Sequence, residues 1–484
     1  MAKLALLALS IAPLGHEPPT AADTPPAAPS ANADRYPSGR DYLRERMQLI
    51  ERHADRGPRK KDDDATDAWN TYLRVVTSAA AITDYAQAAS AKYQALKASD
   101  KEGVLDITVA FAAAGGFAPD DPPGLAAAGA EIFNNLKETR FAASASSLAD
   151  MPSFMPHPAL NRPGISVLLP HLGSARAMAR LNTARMGWAI REGAFEDADV
   201  ILRTNLTLSS ASAAEPSLIA HLVGVAIEAL TVERLLDTHL RTPLPPEAAR
   251  KAAAAIATSP RPDWIYSVNG ERLMGLDSID WLYTKGSLRD ISPEMSKLEA
   301  AAARALWAKR EDSLALYDTI FDHIVAAFDA DPAKATHALD RLAEEEKKFD
   351  NPAHKARFST TALLIPAMSR AVQVERSART LREAAPAVLA ISLYRSEHNG
   401  SLPTSLSDLV PKYIPALPID WHSPNREPLR YRTIDAAPGY ILYSVGRDQT
   451  DDGGTPEARF PRLASAKGTD AVYSIPETLP ETNR

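Results

Sequence analysis

The stretch Glu215–Leu236, "EPSLIAHLVGVAIEALTVERLL", decides the fold class. Leu218, Leu222, Val225, Ala229, Val232 and Leu236 step by four and three residues, the spacing that lines one face of an α-helix. Pro216 precedes the stripe, near a first turn where its missing amide proton costs nothing. Just upstream, "WAIREGAFEDADVIL" (Trp188–Leu202) reads as helix, tight turn at Gly193, helix, with Phe195 and Ala198 as a large-then-small packing face. This has the look of half a helical repeat, yet no spacing of about 34 residues recurs. The expectation is a mainly α chain with some solenoid character.

Composition agrees. The chain has 484 residues, 45% of them hydrophobic and 24% charged, with only 6% aromatic. Its apolar content leans on Ala and Leu, which lose little on entering a helix. The 38 prolines against 22 glycines imply rigid breaks between helices. A net charge of -7 gives no global attraction to nucleic acid. Cysteine is absent, which excludes disulfides, thiolate zinc sites and a cysteine nucleophile. The chain carries no G-x-S-x-G elbow, no phosphate-cradling or dinucleotide-binding glycine loop and no H-E-x-x-H. The 11 histidines are scattered. His221, one residue before Leu222 on the stripe, reads as a satisfied boundary histidine rather than a ligand.

Lys3, the apolar run Leu4–Leu14 and the small residues Ala21-Ala22 make residues 1–22 a signal-like segment. The chain is therefore expected to be exported, to the periplasm or cell envelope. Residues 23–66, rich in Pro, Ala and charge, are expected to be a disordered tether. A helical unit over 67–150 follows, then a proline-dense connector ending at Gly164, then a middle helical domain over 165–350. No stretch approaches the about 20 apolar residues a transmembrane helix needs.

The last part, residues 361–484, is expected to be a small α+β domain. Leu364, Ala367, Ala371, Val374, Ala378, Leu381 and Ala385 share one face of a long helix, which Pro386 should kink or split. Asn399-Gly400 supplies a left-handed stop, and Ser405-Leu406-Ser407-Asp408 a capping box. "PLRYR" (Pro428–Arg432) and "GYILYSV" (Gly439–Val445) read as an antiparallel hairpin. The following "GRDQTDDGG" gathers Asp448, Asp451 and Asp452 among glycines. It reads as a metal loop, a catalytic acid cluster or a solvated turn; its spacing is not that of an EF-hand.

"LYRSEHNGSLPTSLSDLVPKYIPALPID", "EPLRYR" and "GYILYSVGRDQTDDGG" together resemble the periplasmic head of the type II secretion major (G-type) pseudopilins. Similar tails occur on large exported proteins of planctomycete-type bacteria, after long Ala-rich helical regions. The resemblance implies a long helix over an antiparallel sheet, and calcium held by Asp448, Asp451 and Asp452. It also implies a protein partner in the envelope; the net charge points to no nucleic acid, and the missing motifs to a non-catalytic role. Two departures matter. No membrane-spanning apolar helix precedes the domain, so a filament subunit is not expected. Asp420 is followed by Trp421 rather than Pro, and Ser423-Pro424-Asn425 stands in place of the glycine corner. Two other readings stay open. One is a helical-repeat adaptor that binds protein or peptide in a groove near Trp188, Trp264 and Trp281. The other is a hydrolase with a site between Asp263 and Gly286, whose aromatics also read as core anchors.

Overall fold

A computed structural model describes residues 40–54, 68–77, 145–149, 169–364, 368–435, 439–457 and 467–475, with 32, 34–37, 151, 154, 156 and 462. The signal-like segment, most of the expected 67–150 unit and most of the proline-dense connector lie outside them. The described residues are mainly helical, with one small three-stranded antiparallel sheet. The chain divides into two compact units. One comprises residues 1–49, 158–167 and 268–370; the other comprises 50–157, 168–267 and 371–484.

The second unit is built on three helices that each pack against the other two: α2 (His171–Arg191), α3 (Phe195–Ser212) and α4 (Leu218–Arg241). Gly193, at φ +73, makes the tight turn between α2 and α3. α4 starts two residues later than Pro216 suggested. Its N-cap is Ser217, whose side chain accepts the Ala220 amide. Its buried side is also turned from the apolar stripe. Val225 and Val232 are inside, but so are His221, Gly224, Glu228 and Thr231, while Leu222 and Ala229 are only half-buried. Polar groups thus occupy the interior of an apolar helix. α5 (Pro246–Thr258) packs on α3, and α6 (Trp264–Thr284) begins in this unit.

The long C-terminal helix is a single element, α13 (Met368–Glu397), with Pro386 inside it. The expected split does not occur. Proline removes one helical bond at a cost of about 3 kcal/mol, but Ala384, Ala385, Ala387, Val388 and Leu389 around it are completely buried. Burying that surface offsets the loss. The helix stops where predicted: Asn399 and Gly400 adopt φ +53 and +88, and the Gly400 amide reaches back to Arg395 O at 2.9 Å. The Ser405–Asp408 capping box is present and opens a single 3-10 turn, Leu406–Leu409.

The hairpin is β1 (Arg430–Thr433) against β2 (Tyr440–Ser444), with Arg430 opposite Tyr443 and Thr433 opposite Tyr440. A two-residue β3 (Ala471–Val472), not foreseen, pairs on the other side of β2. The central strand is buried on both faces. Tyr440 and Leu442 enter the large core, which also holds Val388, Leu389 and Leu393 of α13 and residues of α2–α5. Ile441 and Tyr443 pack with Val472 on the opposite face. Leu381, Leu389 and Leu393 of α13, Tyr440 and Leu442 of β2 and Ala471 of β3 therefore share one core with the preceding helices.

In the first unit, α9 (Arg310–Ala326) and α10 (Pro332–Lys348) pack together, with the short α7 (Leu288–Ile291), α8 (Lys297–Ala305), α11 (Pro352–Arg357) and α12 (Ser359–Leu364). The disordered tether expected over 23–66 does not hold for its described part. Tyr42–Ala54 is a helix, α1, burying Tyr42, Arg46 and Ile50 at four-residue steps. Tyr36, 1% exposed, gives its hydroxyl proton to Asp318 of α9, and Arg35 pairs with the same carboxylate at 2.7 Å. A buried acid that needs donors orders this segment.

Close packing of α3 on α4 leaves no room for a side chain at Gly224. A Cβ on Gly224 would lie 2.6 Å from the Ser209 backbone oxygen, on α3. Gly224→Ala is expected to cost about 1–3 kcal/mol by overpacking. Gly173→Ala in α2, where a Cβ meets nothing within 4 Å, should gain about 0.5–1 kcal/mol from helix propensity. Urea denaturation of both variants measures the contrast.

Candidate functional site

Three side chains in the second unit line up as hydroxyl, imidazole and carboxylate. His221 on α4 sets Nδ1 3.2 Å from Ser267 Oγ in the first turn of α6, and Nε2 2.9 Å from Glu375 Oε2 on α13. This is the order of a nucleophile, its base and the acid that orients the base. Hydrolytic chemistry needs a substrate at the hydroxyl, and here all three residues are 0% exposed. Glu375 is also fully engaged: its Oε1 accepts Arg261 Nη1 at 2.7 Å and Arg379 Nε at 2.8 Å.

The chain of charges continues. Arg261 Nε lies 3.8 Å from Glu228 Oε1, and Arg382 Nη1 lies 3.1 Å from Glu228 Oε2. Cations and carboxylates alternate from α13 through the segment before α6 to α4 and back. Burial pushes the Glu375 carboxyl up, but Arg261, the His221 hydrogen bond and Arg379 outweigh it and hold the group well below the usual range. Burial lowers Arg261, and Glu375 and Glu228 overcome this and raise it. Both groups stay ionised. The arrangement clamps helices together; it is not set up to turn over a substrate. Sequence reading passed over it because its halves lie so far apart in the chain. The signal was there in the polar spacing: His221 and Glu228 two turns apart, and Glu375, Arg379 and Arg382 on one face of α13.

The tryptophans expected to line a groove are dispersed. Trp264 is 1% exposed and meets His221 edge-on at 5.2 Å, so it is core. Trp188 is half-buried in the same unit; Trp281 belongs to the other unit and packs over Gly286. A small apolar cleft of about 140 Å³ opens elsewhere, lined by Ile190, Phe195, Leu202, Leu235 and Leu244, with the Lys251–Glu196 pair (2.6 Å) beside it.

The acidic loop after β2 is held chiefly by internal donors. Asp448 accepts the Thr450 amide at 3.1 Å and the Gly468 amide at 3.3 Å. Asp451 accepts Arg430 Nε at 2.8 Å, the Tyr443 hydroxyl at 3.1 Å and the Gly453 amide at 3.0 Å. Burial raises Asp451, but these partners outweigh it and bring it below its ordinary value. Asp452 differs: its Oδ2 is buried and has no donor. So is Oδ1 of Asp470, a fully buried residue whose Oδ2 takes the Gly454 amide at 2.7 Å. Burial raises the Asp470 carboxyl. Among the described residues no three acidic or histidine side chains converge as a ligand set. The donor chemistry thus fits calcium in part. Asp452 and Asp470 offer open oxygens, while Arg430 already supplies a positive charge to Asp451. Asp470, sixteen residues beyond Gly454, carried no motif that would have joined it to the loop.

Comparison with family models, with curated proteins and with solved structures finds no match.

The buried imidazoles make stability depend on pH. Burial, with the charges of Arg376 and Arg447, pushes His422 down to about 3; burial pushes His239 and His171 down to about 4. In the unfolded chain imidazoles bind protons below about pH 6.5, and in the folded chain these three do so only far lower. Their stabilisation is complete above that pH and is lost as the pH falls from about 6.5 towards 4. Glu375, held low, adds a loss of the same sign below about pH 4.3. His422 alone accounts for about 3 kcal/mol between about pH 7 and 4. Urea titrations across this range should show the decline, and His422→Gln should flatten it by that amount. A stability that holds or rises on acidification contradicts the assignment.

Proposed function

We propose that the chain is a non-catalytic exported protein of the cell envelope, with a structural or binding role linked to type II secretion. The observation that carries this reading is the order of elements from residue 368 onward. A long helix, a left-handed stop, a capped 3-10 turn, an antiparallel ribbon and an acidic loop follow one another, and the long helix and ribbon among them support the resemblance to G-type pseudopilin heads. The absence of catalysis is supported by the sealed Ser267–His221–Glu375 order, which argues against a hydrolase in the middle helices. Export is supported by Lys3 and the apolar run Leu4–Leu14. A protein partner in the envelope and no nucleic acid complete the reading, in keeping with a net charge of -7. The adaptor reading keeps one specific support, the apolar cleft beside Phe195 and Leu244.

The same reading places calcium at the loop after β2. Asp452 and Asp470 are the carboxylates best able to take it, since their buried oxygens lack donors. Asp448, exposed and with one amide on each oxygen, keeps lone pairs for the ion, whereas Asp451 is already paired with Arg430. Calcium would neutralise the loop's acids and tie it to the segment around β3.

Fractionation tests the location. The tagged full chain is expected in the osmotic-shock fraction, and a variant with Leu4–Leu7 replaced by Asp is expected in the cytosol. Recovery of both from the cytosol would refute export. For the metal, millimolar calcium is expected to raise the Tm of the full chain, and Asp470→Asn should abolish the rise. A Tm indifferent to calcium and chelator would refute the metal and leave the loop to protein cations such as Arg430 and Arg432.

A further inference from the structure

The corner of the second unit where α13, the 419–428 turn and the end of β2 meet is rich in nitrogen donors, and its acids Glu383, Asp420 and Glu427 accept hydrogen bonds from the turn or from Ser444 and Val445. Hydrogen bonds fix the three elements together. His422 Nε2 meets Ser377 Oγ at 3.1 Å, and the Trp421 amide reaches Thr380 Oγ1 at 3.2 Å. Asp420 accepts Ser444 Oγ at 2.7 Å and the Val445 amide at 3.0 Å, which brings Arg447 to the turn.

Inside this corner lies an uncompensated cation. Arg376 is 1% exposed, and its Nε and Nη1 are buried with no hydrogen-bond partner. Burial first, and then the like charge of Arg426, push its guanidinium down to about 10 despite Asp420. Asp420 cannot serve as its full counter-ion. The carboxylate is already spent on Ser444, Val445 and the His422 amide (2.9 Å), and faces Arg430 Nη1 at 3.8 Å. His422 is 2% exposed and its Nδ1 is likewise buried without a partner. Arg447, half-buried, also has its Nε unpartnered. Arg426 lies over Trp421 at 4.1 Å on the same turn and adds a further positive charge. A buried guanidinium without an anion costs several kcal/mol, so folded chains pair such groups.

We propose that this corner is a binding site for a small tetrahedral oxyanion, a phosphate or sulfate group, held by Arg376, His422 and Arg447. Donors arriving from a helix, a turn and a strand end, rather than from one plane, suit a tetrahedral anion better than a flat carboxylate. The three exposed or half-exposed positions Trp421, Asn425 and Arg447 form its mouth. His422 can join through its tautomer. The single Ser377 proton has two acceptors, Gln373 O at 3.0 Å and His422 Nε2. Donation to Nε2 places the imidazole proton on Nδ1 and turns that orphan into a donor. The site is independent of the proposed export and of calcium.

Inorganic phosphate is the probe, titrated calorimetrically into the full chain in chloride buffer, with sulfate and acetate as parallel arms. Saturable binding of phosphate and competition by sulfate are expected, with acetate at least tenfold weaker. Arg447→Glu at the mouth should weaken phosphate at least tenfold while leaving the fold intact. Arg376→Met provides the second reading. A buried methionine in place of an unpaired guanidinium should keep or raise Tm without phosphate, and should lose the saturable Tm gain with it. Three outcomes overturn the site: no saturable heat; equal gains in wild type and both variants, which is the general salting effect on burial; or an Arg376→Met loss of Tm that is the same with and without phosphate, which would make Arg376 a structural partner of Asp420.

Discussion

One buried carboxylate organises the second unit. Glu375 has no exposure, yet it holds His221 of α4, Arg261 of the segment before α6 and Arg379 one turn along α13. A lone ion in that position would cost several kcal/mol. The cost is met only when all partners are in register, because each satisfies a different lone pair. One layer on, Glu228 faces Arg261 at 3.8 Å and Arg382 at 3.1 Å as ion pairs without hydrogen-bond geometry. Nonpolar packing alone would tolerate small slides of α13 along α4; this alternation of charge does not. Specificity of register is the role such networks serve best.

The position of the ribbon follows from that register. With α13 fixed by Glu375 and Arg382 in its first half, its second half turns Val388, Leu389 and Leu393 into the core that also receives Tyr440 and Leu442. β2 is buried on both faces and flanked by β1 and β3, while the outer strand β1 leaves Arg432 and Thr433 exposed. The ribbon expected from the sequence exists, but its hydrophobic support comes as much from α2–α5 as from α13.

Features set by neighbours in sequence were readable. The Asn399-Gly400 stop, the Ser405–Asp408 capping box and the hairpin pairing of "PLRYR" with "GYILYSV" each depend on a few adjacent residues and stand as read. What escaped depended on distance. The polar side of α4 makes sense only beside Glu375, 154 positions away, so apolar periodicity pointed to Leu222 and Ala229 instead. Pro386 is absorbed because its flanks are buried from several sides, which no local rule reveals. Tyr36 and Arg35 sit in a composition typical of disorder and are ordered by Asp318, 282 and 283 positions on. β3 is only two residues long and Asp470 lies within one residue of it, too short a signal for any pattern. The acids of the quoted loop were visible, but their partners, Arg430 and Tyr443, come from the paired strands.

Glu375 carries the charge that makes the half-buried Arg261 and Arg379 tolerable against the core. Glu375→Gln keeps the shape and removes only that charge. Chemical denaturation of this variant at neutral pH is the direct measurement. A loss of about 3–5 kcal/mol relative to the parent chain is expected for a broken buried ion network. A loss below about 1 kcal/mol, the size of an ordinary surface pair, would show that Glu375 does not hold the helices in register.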